Sequence, residues 1–316
     1  MDVPTVLFMN VGEGETSYAK NSSVQKEIIE GAWSITVEAV LNLVSATNND
    51  KLSIADLGCS SGKNTLLVMG KIVDTVEAAC QRPGRPPPEF QLFLNDLPGN
   101  DWNGVFCSLA TYNNLRLDKD LGRCYVAGVA GSFNGRLFPA NSINFFHSSC
   151  SLHWLSQDPF KAISQDNKPL LNKSINISEI SLSYILDTYK MQFKHDFSDC
   201  LRFRAIEIVV GGHIGFVEED KVDSFNLPFY SPSIKECLKV FEVDANVNNT
   251  ELSSDTSGSQ TIAKTIQAAS EPILASHFGS TIIESLFFRF AKALEEDTTR
   301  NQFNFTNITI SLARKT

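Results

Sequence analysis

The stretch from Lys51 to Asn64, K-L-S-I-A-D-L-G-C-S-S-G-K-N, constrains the fold more than any other. Leu52, Ile54 and Leu57 make a short apolar run ended by Gly58, the pattern of a buried strand. Gly58 and Gly62 free the backbone to turn sharply. Apolar residues at helical spacing follow from Asn64: Leu66, Leu67, Val68, Ile72, Val73 and Val76. Strand, glycine turn and helix open a nucleotide-binding βαβ unit, so a doubly wound α/β sheet is expected. The helix N-terminus and bare N–H groups offer polar contacts to a ligand across the turn. The spacing narrows that ligand. Gly58 and Gly62 give G-x-x-x-G, short of the dinucleotide pattern G-x-G-x-x-G. Gly62-Lys63-Asn64 is one residue short of a P-loop, and Asn replaces the hydroxyl that would hold magnesium. The wider turn suits a ligand without phosphates, such as S-adenosylmethionine (SAM).

Charge and cysteine use remove other classes. The net charge is −9 and no basic run is interleaved with aromatics, which argues against a nucleic-acid partner. No run of 18 apolar residues offers a membrane span. Met1-Asp2-Val3-Pro4 has no basic region and no apolar core behind it, so no signal peptide is expected. Seven cysteines without a C-x-x-C pair fit reduced thiols in the cytosol better than a disulfide framework or a zinc site. The sequons at Asn172 and Asn248 then read as chance matches.

Before the glycine turn, Ser22 or Ser23 can N-cap one helix carrying Val24, Ile28, Ile29, Trp33, Ile35, Val37, Val40 and Leu41. After it, residues 90–96 alternate as a second strand closed by Asp96. An acidic residue there accepts both ribose hydroxyls of an adenosine, or caps a helix after Pro98; both readings stand. Residues 124–129 read as a third strand running into Gly131–Pro139, whose small and aromatic residues suit an adenine slot. Residues 143–147 read as a fourth, with Ser148–Trp154 at its carboxyl end, where ligands of such sheets bind. A short helix is expected at 159–165 and a long one over 181–210, ended by Gly211-Gly212. A further helix runs from Ile234 toward Val243, Asn246–Gln260 reads as a polar linker, and amphipathic helices fall at 262–274 and 282–294. An alternating strand over 303–312 closes the chain.

Seven of these segments together resemble one family, the plant small-molecule methyltransferases of the salicylate/benzoate/theobromine type (SABATH). They are V-L-F-M-N-V-G-E-G-E-T-S-Y-A-K-N-S (6–22), A-D-L-G-C-S-S-G (55–62), L-N-D-L-P-G-N-D-W-N (94–103), G-S-F-N-G-R-L-F-P (131–139), H-S-S-C-S-L-H-W-L-S-Q (147–157), E-E-D-K-V-D-S-F-N-L-P (218–228) and E-P-I-L-A-S-H-F-G (271–279). They keep the family's order across nearly the whole chain. The resemblance implies a SAM-dependent, Rossmann-like methyltransferase fold in one domain. Its core would be about 50–215 and 240–316, with cap elements at about 1–48, 155–195 and 217–240. By the same resemblance Tyr18, Cys59, Asn64, Asp96, Leu97, Ser132 and Phe133 contact SAM. Gln25 and Trp154 hold the acceptor's carboxylate, and Cys150 and His153 shape its pocket. A magnesium site would match Asn172, Asp223, Phe225 and Asn226. A homodimer is implied as well.

The expected reaction is methyl transfer from the SAM sulfonium to a carboxylate of a small acid of the jasmonate, salicylate or benzoate type. N-methylation of a xanthine alkaloid is the alternative within the family. Gln25 favours the acid, because a neutral purine has no carboxylate to hold. Three departures from the family pattern stand out. Val11-Gly12 replaces a glycine pair, and Lys63 replaces a proline after the turn. Only His213-Ile214-Gly215-Phe216 separates Gly211-Gly212 from the acidic V-E-E-D-K. A central strand and one wall of the acceptor pocket are therefore expected to be missing, which leaves an inactive paralogue as a third reading.

Overall fold

The computed structural model describes residues 7–47, 49–81, 84–117, 124–159, 183–220, 230, 246–253, 259–298 and 304–314. Leu52, Ile54, Ala55 and Leu57 are buried on both faces of β1 (Lys51–Leu57), the signature of a strand covered by helices. β2 (Glu89–Asp96), β3 (Cys124–Ala130) and β4 (Ile143–Ser149) join it in parallel. With β5 (Ile208–Asp220), β6 (Asn246–Ser253) and β7 (Asn304–Ala313) they form one seven-stranded sheet of order β3-β2-β1-β4-β5-β7-β6. β7 runs antiparallel to both neighbours.

Strand alternation divides the core into two layers. Leu52, Ile54, Leu92 and Phe145 face α2 (Trp33–Ala46) and α3 (Lys63–Gln81). Ala55, Leu57, Phe146 and Phe216 face Tyr189, Phe193 and Phe197 of α5 (Ser183–Glu207). α4 (Trp102–Leu117) follows β2, and α6 (Ser259–Phe278) and α7 (Ile283–Thr298) precede β7. No single helix among the described residues is long and apolar enough to cross a bilayer.

The central strand expected to be missing is present. His213–Val217 pair with Phe145–Ser149 of β4, and His213–Asp220 pair with Thr306–Ala313 of β7. Its strand begins at Ile208, so the preceding helix stops at Glu207 and the two glycines lie inside β5. At Gly212 a Cβ would stand 2.9 Å from the Asn144 carbonyl, beside the irregular register between Ile143 and Phe145. Val217–Asp220, expected to open a cap element, instead extend the core. The slot between β4 and β7 has unpaired ladder groups on both sides, and filling it outweighs the acidic composition.

Three other expectations change. The single helix over 24–41 is two, α1 (Ser23–Gly31) and α2, bent by 55° at buried Ala32. Ser22 takes the cap position but its side chain makes no cap hydrogen bond. The polar stretch after Asn246 contains β6, an edge strand on β7, a place that suits polar sequence. The expected helices at 159–165 and from Ile234 lie outside the described residues, as do Asn172, Asp223, Phe225 and Asn226.

Candidate active site

The site is built where β1, β2 and β4 end. Gly58, at φ +72°, turns the chain so that its own N–H and that of Cys59 both donate to the Asn95 carbonyl at 2.9 Å. Ser60, in the left-handed region at φ +51°, aims its N–H at Asp96 Oδ2, 2.6 Å away. Asp96 Oδ1 accepts the Leu97 N–H at 2.7 Å. The Asn95 side chain donates to the carbonyls of Val129 and Gly131, at 2.8 and 2.9 Å. The tips of three strands are thus tied around Asp96.

Asp96 does not cap a helix. That task falls to Asp101, whose Oδ1 accepts the Gly104 N–H at 2.9 Å at the start of α4. Burial raises the Asp96 carboxyl to about 6, against the pull of the Ser60 and Leu97 N–H groups and with a further push from Asp56. The residue still keeps some contact with solvent. Burial, then the charges of Asp96 and Asp56, hold the Cys59 thiol well above its ordinary range, so it stays protonated and is no nucleophile.

The loop carrying Ser132 and Phe133 is held from α5. Arg204 donates to the carbonyls of Phe133 and Gly135, both at 2.8 Å. Glu207 Oε1 accepts the N–H groups of Leu137 and Phe138 at 2.6 and 3.0 Å, and its Oε2 pairs with Arg204 at 2.7 Å. The helix after β1 is tied to the N-terminal segment by Asn64 Nδ2, which donates to the Ser22 carbonyl at 2.9 Å. Beneath the turn, Asp56 accepts from the Thr65 hydroxyl at 2.6 Å and pairs with His147 at 2.9 Å.

A narrow cleft beside the glycine turn is lined by Tyr18, Gln25, Cys59 and Asn64, together with Asp56 and Ser149. Four of the expected site residues therefore meet in one place. Gln25 Oε1 is buried there with no hydrogen-bond partner. Cys150, at φ +52°, packs against Val24, Ile28 and Val217. Its N–H donates to the Val217 carbonyl at 2.8 Å. Trp154 packs with Leu97, Leu7, Leu274 and Phe287, and its ring centroid lies 5.6 Å from that of His153. The two departures near the turn are harmless. The left-handed conformation falls on Gly12, not Val11, and Lys63 is exposed. Among the described residues no three His, Cys, Asp or Glu side chains could hold a metal. The four residues matched to magnesium offer one carboxylate, two amides and a backbone carbonyl, a poor cage for a hard cation.

Sequence reasoning missed Ser60, Arg204, Glu207 and Glu218. Only Arg204 and Glu207 left a signal, an opposite-charge pair three residues apart on a helix.

The sequence model of the SAM dependent carboxyl methyltransferases matches residues 4–215 and 213–315. The chain belongs to this family. The family's cofactor is SAM, and the cradle around Asp96 fits its adenosine. A probable jasmonic acid carboxyl methyltransferase of Theobroma cacao is 39% identical over all of both chains. The salicylate carboxymethyltransferase of Clarkia breweri is 37% identical over all of this chain and 99% of its own. A probable caffeine synthase of Camellia sinensis is 33% identical over 99% of each. A solved loganic acid methyltransferase with S-adenosylhomocysteine (SAH) superposes with a TM-score of 0.84, at 31% identity over 98% of this chain and 99% of that one. The alignment to the first Theobroma relative spans 372 positions, so 372 − 316 = 56 positions have no residue here. The two matched segments meet at 213–215, inside β5.

Proposed function

We propose that this methyltransferase esterifies a small organic acid whose carboxylate is held between the Gln25 amide and the Trp154 indole. One observation carries the reading. The Gln25 amide lies in the cleft beside the glycine turn with a buried atom that has no partner. Leaving such an atom unpaired costs about 1–3 kcal/mol, which a ligand recovers. Half a turn of the amide places its NH₂ there, a donor for a carboxylate.

Bound SAM supplies an electrophilic methyl on a sulfonium. The acceptor acid, with an ordinary pKa near ~4, is already ionised at neutral pH, so no general base is needed. Gln25 and Trp154 each donate one N–H and aim a carboxylate oxygen. Positioning of this kind is worth roughly 7–11 kcal/mol. Cys150 and the apolar cluster around Trp154 keep water away while anion and cation neutralise each other. The reading of an inactive paralogue loses its ground, since the strand it missed is in place. A cytosolic location and a homodimer belong to the same proposal, supported by cysteine spacing without a C-x-x-C pair and by the resemblance.

The test is the purified chain with SAM and jasmonate, salicylate, benzoate and theobromine, the products read by mass spectrometry. A methyl ester of at least one acid is expected. N-methylation of theobromine alone overturns the reading.

A further inference from the structure

Glu218 is buried, and nothing in the reaction above uses it. Its Oε1 accepts the N–H groups of Ser151 and Leu152 at 3.0 and 2.9 Å. Its Oε2 lies 2.9 Å from His153 Nδ1. One carboxylate on β5 thus holds three consecutive residues of the turn that follows β4. The same turn reaches the cofactor side, because Ser151 Oγ lies 3.1 Å from the Gly58 carbonyl. It also carries Trp154, the next residue along. Glu218 lies in the second matched segment of the family model, residues 213–315. It lies in β5, the strand expected to be missing, where it pairs with Ile308 of β7.

We propose that Glu218 is a positioning residue of the acceptor side, fixing the Ser151–Trp154 turn and the tautomer of His153. The proposal rests on the acceptor lying at this turn, as in the function proposed above. A carboxylate accepts and cannot donate, so the ring nitrogen facing it carries the proton. Neutral His153 is then held as the Nδ1–H tautomer. The backbone N–H groups of Ser151 and Leu152 keep Oε1 occupied, which leaves Oε2 for the ring.

Glu218→Gln separates charge and geometry. The amide oxygen still accepts from Ser151 and Leu152, while its NH₂ faces Nδ1 and donates to it. The ring proton must move to Nε2 with the fold kept. The experiment is ¹⁵N NMR of the histidine rings in the full chain at alkaline pH, for wild type, Glu218→Gln and Glu218→Ala. His153→Asn assigns the signal. Wild type is expected to show the proton on Nδ1 and Glu218→Gln on Nε2. With a turned-over acid, Glu218→Gln is expected to raise its KM about fivefold to tenfold, the worth of about one hydrogen bond, with SAM affinity unchanged. The same tautomer in wild type and Glu218→Gln overturns the proposal, as does an unchanged acid KM or a matching loss of SAM affinity. If wild type methylates no acid, the function proposed above fails, and the tautomer alone decides this one.

Discussion

Asp96 Oδ2 accepts the Ser60 backbone N–H at 2.6 Å across 36 residues of chain, joining the glycine turn to the end of β2. The serine that makes this bond stands in the left-handed region, at φ +51°, between two glycines. Backbone strain at such a residue is an ordinary feature of ligand-holding turns.

The first prediction is a pH dependence of cofactor binding. If Asp96 holds the ribose as expected, it does so ionised, and its folded value is about 6. SAM affinity should be steady above that and weaken by up to about tenfold per pH unit below it. Calorimetric titration from alkaline to mildly acid pH checks this; an affinity flat through 6 contradicts it. The free protein goes the other way. A carboxyl raised from 3.8 favours folding most below 3.8 and loses that contribution as pH rises through about 6.

Gln25→Ala and Trp154→Ala should each raise the KM of the accepted acid about tenfold and leave SAM affinity within about twofold, since each removes one donor to the acceptor. Steady-state kinetics beside SAM titrations distinguish the two sides of the site. A collapse of SAM binding in Gln25→Ala would move that residue to the cofactor.

The Ser132–Phe133 loop should depend on a pair it does not touch in sequence. Removing Glu207 strands the buried Arg204 guanidinium and two backbone donors. Glu207→Ala should cost about 3–5 kcal/mol in urea unfolding and weaken SAM binding. A loss below about 1 kcal/mol would show that the loop stands by itself.

Gly58 is required twice over. A Cβ there would lie 2.3 Å from Ser151 Oγ, and φ is +72°. Gly58→Ala should destabilise by more than the roughly 1–3 kcal/mol of backbone strain. Adding Ser151→Gly should relieve the collision and leave the strain. Equal stabilities for the single and double variants would remove the collision from the account.

Much of the site was legible because its signals are local. Glycines between a strand and a helix mark a turn wherever they occur, and an acid at a strand end marks its tip. Hence the glycine turn, Asp96 at the tip of β2 and the loop after β3 could be placed in advance, while Asn64 was named only through the resemblance. Of the two readings left open for Asp96, the cap fails, because Asp101 starts α4 three residues past the proline. The helix break at Ala32 left no proline to betray it, and burial of that alanine against Val24 and Ile28 is a packing fact.

The chain's own residues determined the parallel βαβ units and the strand tips that bear the site, since periodicity and turn chemistry act over a few neighbours. Whether V-E-E-D opened a cap or completed the sheet was decided only in three dimensions. There the open ladders of β4 and β7 took the nearest segment long enough to bridge them. With it came Glu218, whose carboxylate no local pattern would have placed against His153.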